Sequence, residues 1–259
     1  MEVRHPAVAG LFYPANPAQL GQAVDSYLAE NPCVGPVPKV LVVPHAGYTY
    51  SGPVAARAFN LLAPVVERIR RVVLLGPSHR VALSGLALPG VDCFETPLGK
   101  VQIDSLLTYS LEGLPQVEVL SPCHAAEHSL EVQLPFLQRL IPSFKLLPLV
   151  VGQCAPHLVA EVLEMVWGGD ETLIVISSDL SHYHSYKEAL EIDRQTSRGI
   201  CACRSDLAGD EACGCAPLNG MLMLARKLGL QVELLDLRNS GDTAGDRKQV
   251  VGYGAYALY

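Results

Sequence analysis

Three times along this chain a short, wholly apolar run meets a breaker and then a histidine, and this repeated layout constrains the fold most. Val40–Val43 runs into Pro44 and His45; residues 71–75 run into Gly76-Pro77-Ser78-His79. Residues 172–176 run into Ser177-Ser178-Asp179-Leu180-Ser181-His182. Runs of this length with no polar alternation mark strands buried on both faces, as in parallel sheets covered by helices. Proline brings no N–H to a ladder and biases its predecessor away from helix, so it stops such a strand. In open α/β sheets ligands bind outside the carboxyl ends of the strands. One histidine after a strand is ordinarily a satisfied structural residue, but the same placement on several strands points to a shared site. Two of them can bind a metal while a third nearby carries a proton.

The stretches between these runs supply the covering layers. Residues 17–30 have helical spacing. Gly47 and Gly52 bracket an aromatic, hydroxyl-rich loop, Tyr48-Thr49-Tyr50-Ser51, after which Pro53 opens a helix in its favoured first-turn position. Residues 84–88, then 93–101, read as strand, turn and strand, and 117–121 as another short strand. Across 127–137 the leucines fall at helical spacing, and Glu127, His128 and Glu131 share one turn, a spacing that can bind metal. Glutamate in the first turn of a helix is the commoner reason for such residues. Residues 145–151 predict another buried strand, followed by a helix over 157–167. A helix over 187–204 ends in Cys201-Ala202-Cys203. Cys213-Gly214-Cys215 then precedes a helix over 218–228, whose positive end favours thiolate at Cys213. The two C-x-C pairs also permit a four-thiolate zinc site, although the usual spacing is C-x₂-C. Residues 230–237 read as a strand, and 250–258 close the sheet as an edge or antiparallel strand.

With 259 residues, 49% of them apolar, the chain can bury a large core, and it reads as one α/β domain over residues 1–259. A net charge of −7 argues against nucleic acid. No apolar run is long enough to cross a bilayer, and the N-terminus lacks the layout of a signal peptide, which points to the cytoplasm. Eight cysteines there read as buried thiols or ligands, not as a disulfide framework.

Taken together, AGLFYP, PHAGYTYSG, LLGPSHR, EHSLEVQLPFLQ, SSDLSHY, ACGCAPLNG and SGDTAGD with VVGY resemble, in this order and spacing, the Memo family, whose prokaryotic members are called AmmeMemoRadiSam system protein B. That family is similar in fold to class III (LigB-type) extradiol dioxygenases. The resemblance implies one α/β domain, its mixed central sheet flanked by helices, and a non-haem iron site with dioxygenase-like oxidoreductase chemistry. Matched by motif, His45 and His79 become metal ligands and His182 the acid/base, with Asp179 beside it to orient its ring. Cys213 stands where the dioxygenases carry a glutamate ligand. A thiolate is softer than a carboxylate, so zinc or copper become options beside Fe(II), and Cys215 can compete for the metal or pair oxidatively with Cys213. Phe12, Tyr48 and Tyr50 are expected to shape the pocket for a small-molecule substrate. The alternative is a non-catalytic module that keeps the fold and binds a peptide or protein. The prokaryotic family name further implies radical-SAM and AMMECR-type partner proteins.

Overall fold

Val40–Val43 is buried at every residue, as a strand with helices on both faces must be. The computed structural model describes residues 1–259. In chain order, Val3–Arg4 (β1) precedes the helix Pro17–Glu30 (α1), and Val40–Val43 (β2) leads into Tyr48–Phe59 (α2). Arg71–Pro77 (β3), Leu86–Leu88 (β4), Cys93–Thr96 (β5) and Gly99–Gln102 (β6) follow. Then come Ser105–Leu111 (α3), Val117–Val119 (β7), Pro122–Ala125 (α4), Leu134–Leu140 (α5) and Lys145–Val151 (β8). Pro156–Met165 (α6), Thr172–Ser177 (β9), His182–His184 (β10) and Tyr186–Cys201 (α7) continue the chain, and Cys215–Leu228 (α8), Val232–Asn239 (β11) and Val250–Leu258 (β12) complete it.

Nine strands form one mixed sheet in the order β10-β12-β2-β9-β3-β8-β4-β7, with β11 paired to β12. Its centre, β2-β9-β3-β8, is parallel, so these strands deliver their carboxyl ends to one edge. Strand alternation divides the core. Leu41, Val43, Val72, Leu74 and Val175 pack with α1, α2 and α5, while Val40, Val42, Val73, Leu75 and Ile176 pack with α6 and α8. A separate small sheet joins β1, β5 and β6. The mixed sheet flanked by helices is the fold that the family resemblance implied, and its central strands are the buried runs. No helix is long and apolar enough to cross a membrane.

Several elements differ from the sequence expectation. The bracketed loop 48–51 is the first turn of α2: Gly47 O accepts from the Tyr50 and Ser51 amides, and Pro53 lies inside the helix. Helix α8 begins at Cys215, not Leu218. Residues 127–130 are not helical; a 3₁₀ turn, Glu131–Gln133, precedes α5. Strand β12 is antiparallel to its neighbours, as one of the two readings had it, but it is no edge, because it pairs with β11 on one side and with β10 and β2 on the other. Residues 182–184 form a strand that the histidine-rich sequence did not announce, since a three-residue pairing leaves no periodicity to read.

Candidate metal centre

Each parallel strand places its following residues at the same sheet edge, and the hydrogen bonds of those residues then decide which ring atoms are free. His45 follows β2 and Pro44. Its amide donates to Asp179 Oδ1 at 2.7 Å, and its Nδ1 lies 2.9 Å from Ser177 Oγ. The Ser177 hydroxyl gives its one proton to Ser129 O at 2.6 Å. Toward His45 it can therefore only accept, so Nδ1 carries the hydrogen and Nε2 keeps a bare lone pair. His79 follows β3. Its amide donates to Glu127 Oε2 at 2.6 Å, and its Nδ1 lies 2.9 Å from Glu127 Oε1. Burial pushes the Glu127 carboxyl up, but hydrogen bonds from His79 and the Ser129 amide outweigh it and hold the group at about 2. An ionised carboxylate only accepts, so His79 too is protonated on Nδ1 and bare on Nε2.

His128 completes the cluster. Its amide donates to the same Glu127 oxygen at 2.9 Å, and its buried Nδ1 has no hydrogen-bond partner. One ring nitrogen from each of His45, His79 and His128 lies within 4.8 Å of the others. The His79 and His128 rings stack with centroids 4.7 Å apart, and His45 meets both edge-on. His45 is buried and His79 is the exposed member, so the cluster has one open side. Burial, then the neighbouring rings of His79 and His128, hold His45 well below the usual imidazole range. Burial likewise lowers His128 to about 4. Neutral imidazoles with oriented Nδ1–H groups are the form in which histidine binds metal, and a carboxylate or hydroxyl behind the ring is the usual support. The donor set thus fits a divalent cation.

The remaining sequence-predicted residues divide. Cys213 Sγ lies 3.2 Å from His45 Nε2 and accepts from the Asp179 amide at 3.3 Å, but it falls outside the set of mutually close donors. Burial and then the Asp179 carboxylate push its thiol up and outweigh the backbone hydrogen bonds that favour thiolate, although α8 starts only two residues beyond it. Asp179 does not orient His182: its Oδ1 holds the His45 amide, and His182 Nδ1 donates instead to Leu180 O at 2.9 Å. Burial raises Asp179 to about 7, against the amides of His45 and Ala46. A cavity of about 690 Å³ opens beside the cluster and is lined by Phe12, Tyr50, His128, Asp179 and His182 among others. Tyr48 is not at this cavity. It is buried, packs against Tyr13, Tyr27 and Phe136, and donates to Val132 O at 2.7 Å. The α2 helix turns its ring inward to the core, whereas Tyr50, two residues on, remains exposed.

His128 and Glu127 are the residues that strand–histidine reasoning underrated. Their adjacency was visible, but they reach the site from a non-helical segment that crosses the sheet edge. Glu131, of the same sequence cluster, points elsewhere: it is buried against Arg4 and Tyr13 Oη and accepts from the amides of Ala7 and Val8 at 2.8 and 3.0 Å. That tie draws in the N-terminal segment, whose Phe12 ring packs 4.7 Å from the His128 ring. The four cysteines of the C-x-C pairs do not gather into a metal-binding group.

The family profile described as Memo-like protein matches residues 4–257. A MEMO1 family protein of Aquifex aeolicus is 37% identical over 98% of both chains, and one of Sulfolobus acidocaldarius is 35% identical over 97% of both. Among solved structures, an uncharacterized protein of Escherichia coli K12 superposes with a TM-score of 0.54 at 12% identity, over 83% of this chain and 98% of that one. At that identity the likeness speaks for the fold alone. Across nearly its whole length, this chain belongs to the Memo family.

Proposed function

We propose that this Memo-family protein is a metal-dependent enzyme of the oxidoreductase class, with Fe(II) as its working ion and zinc or copper as competitors. The observation that carries the reading is the shared tautomer of His45 and His79: both Nδ1–H groups are bound from behind, which leaves Nε2 bare on two residues that cluster with His128. In this reading His45 and His79 are the fixed ligands, and His128 and the Cys213 sulfur flank them as further donors. A cation there would favour the Cys213 thiolate over the thiol. When bound, such an ion supplies a Lewis acid with positions open to a substrate oxygen and, as iron, electron exchange.

The protein's own groups do the rest. Glu127 and Ser177 hold the two imidazoles in one tautomer and orientation. Asp179 locks the His45 backbone through its amide. His182 spends Nδ1 on Leu180 O, which leaves Nε2 free on a residue lining the cavity. Burial lowers its pKa, so the ring is neutral at neutral pH and can take a proton from a bound hydroxyl and return it later. Phe12, against His128, keeps water from one side of the cluster.

Anaerobic titration with Fe(II) and Zn(II), with metal analysis of the recovered protein, tests this. Wild type should take up one equivalent. His45→Ala and His79→Ala should each abolish stoichiometric uptake, while His182→Ala should leave it near wild type. Cys213→Ser and His128→Ala should each weaken affinity by about 10–100-fold, the range for lost supporting contacts and donors. Full uptake by folded His45→Ala would end the reading.

A further inference from the structure

His182 is held by a contact that the metal centre does not explain. Its Nδ1 lies 2.9 Å from Leu180 O, and a carbonyl only accepts, so Nδ1 carries the hydrogen and Nε2 is bare. Leu180 O belongs to the same peptide group as the Ser181 amide, and that amide donates to Asp193 Oδ1 at 3.0 Å. One trans peptide therefore stands between a carboxylate and the imidazole. The carboxylate accepts at its N–H end, and the ring donates at its C=O end. Asp179, the acid nearer in sequence, is bound to the His45 amide instead.

The bridging peptide has no freedom to turn. The Leu180 amide donates to Gly252 O, and Ser181 O accepts from the Gly252 amide, both at 2.8 Å. With these two bonds to β12, every main-chain polar group of Leu180 and Ser181 has a partner, and both residues are buried. Asp193 reaches the peptide from the buried face of α7. Its carboxylate lies over Gly252, where a Cβ would collide with both carboxylate oxygens, so glycine at this point of β12 makes room for it. Burial raises Asp193 to about 6, and His184 on β10 and Tyr256 on β12 are the other titratable groups facing it. At pH 8 it is ionised.

We infer that Asp193 is a positioning residue for His182 and acts on the ring through the Leu180–Ser181 peptide. An amide whose N–H is bound by an anion becomes a better acceptor at its own carbonyl, because hydrogen bonds in series polarise one another. The bond made by one ring nitrogen of histidine decides which nitrogen holds the proton, and it raises the basicity of the other. Asp193 thus fixes the Nδ1–H tautomer and the ring orientation, and it makes Nε2 the stronger base, without touching a substrate or taking the ring proton. This rests on the reading of His182 as the proton carrier and draws nothing from the metal.

Long-range ¹H–¹⁵N NMR of chelator-treated protein at pH 8 reads the tautomer, with the His182 signals assigned by their absence in His182→Gln. Wild type should show a protonated Nδ1 and a bare Nε2. Asp193→Ala removes the acceptor of the Ser181 amide, and the Nε2–H form should rise to roughly a third or more of the neutral ring. Asp193→Asn keeps an acceptor without the charge, so the tautomer should stay while the Nδ1 proton moves upfield. Carbethoxylation of His182 by diethyl pyrocarbonate, mapped by mass spectrometry, should be roughly 3-fold or more slower in Asp193→Asn than in wild type, as Nε2 loses basicity. Thr196→Val, on the same buried face of α7, should change none of these signals. A wild-type Nε2–H tautomer, an unchanged tautomer in Asp193→Ala, equal carbethoxylation rates, or the same losses in Thr196→Val each overturn the role. If Asp193→Ala unfolds, the Asp193→Asn arm decides alone. No arm needs an ion or a substrate, so failure of metal uptake in the histidine variants and failure of this role are separate results.

Discussion

Glu131 and Asp193 show what single residues decide in this protein. Glu131 is fully buried and compensates the equally buried Arg4, whose guanidinium also donates to the carbonyls of His124 and Glu127. Removing one charge of such a pair strands the other away from water, at a cost of about 3–5 kcal/mol. Glu131→Gln should therefore lower unfolding free energy by that amount in urea; a loss under about 1 kcal/mol would mean that the pair is dispensable. Asp193, 2% exposed, accepts the Ser181 amide at 3.0 Å. Burial raises it to about 6 even so. A carboxyl raised on folding favours the native state while protonated, so its contribution is full below about pH 4 and is lost as pH rises through about 6. The loss is roughly 2–4 kcal/mol, from about 1.4 kcal/mol per pKa unit. Asp193→Asn should flatten that part of the stability–pH curve in chelator-treated protein, as followed by thermal melts from pH 4 to 8.

Between elements, close approach is the governing constraint. In β3, a Cβ at Gly76 would lie 2.8 Å from Ser129 Oγ and 2.9 Å from Leu130 Cδ2, on the segment that carries His128. In α8, a Cβ at Gly220 would lie 2.4 Å from Val159 Cβ in α6. Each alanine overpacks its contact, an effect of about 1–3 kcal/mol. The two should differ in function. Gly76→Ala must push residues 128–130 off the sheet edge and weaken Zn(II) affinity, whereas Gly220→Ala disturbs a helix pair that does not touch the histidines. Matched urea unfolding and Zn(II) titrations of both variants check this; equal loss of affinity would remove the special role of the 127–130 segment.

For the whole molecule, the proposed ion couples to stability by mass action. Metal at 100-fold its dissociation constant stabilises the native state by about 2.7 kcal/mol. At 2–4 °C per kcal/mol for a chain of about this size, that raises Tm by roughly 5–10 °C. His79→Ala should melt without that increment at any Zn(II) concentration that leaves the unfolded chain unbound. An undiminished shift in that variant would place the ion elsewhere.

The sequence alone determined the buried parallel strands and pointed to their carboxyl edge, because those signals are local. Four buried residues in Val40–Val43 and the proline after them need no distant partner to be read, and neither does the histidine that follows. The family, too, was legible in the order of its motifs. Tertiary structure decided which side chains meet. Glu127 and His79 are 48 residues apart, and His45 and Asp179 are separated by 134; the parallel pairing of β2 with β9 brings the second pair together, and the 127–130 segment at the end of β3 brings the first. The tautomers of His45 and His79 follow from such remote contacts, as do the burial of Tyr48 and the entry of His128 from a segment that is not helical despite the leucine spacing around it. A side chain's direction is local only where its element is regular and its face is known. At the ends of strands, where this site lies, it is set by whatever the sheet delivers to the same edge.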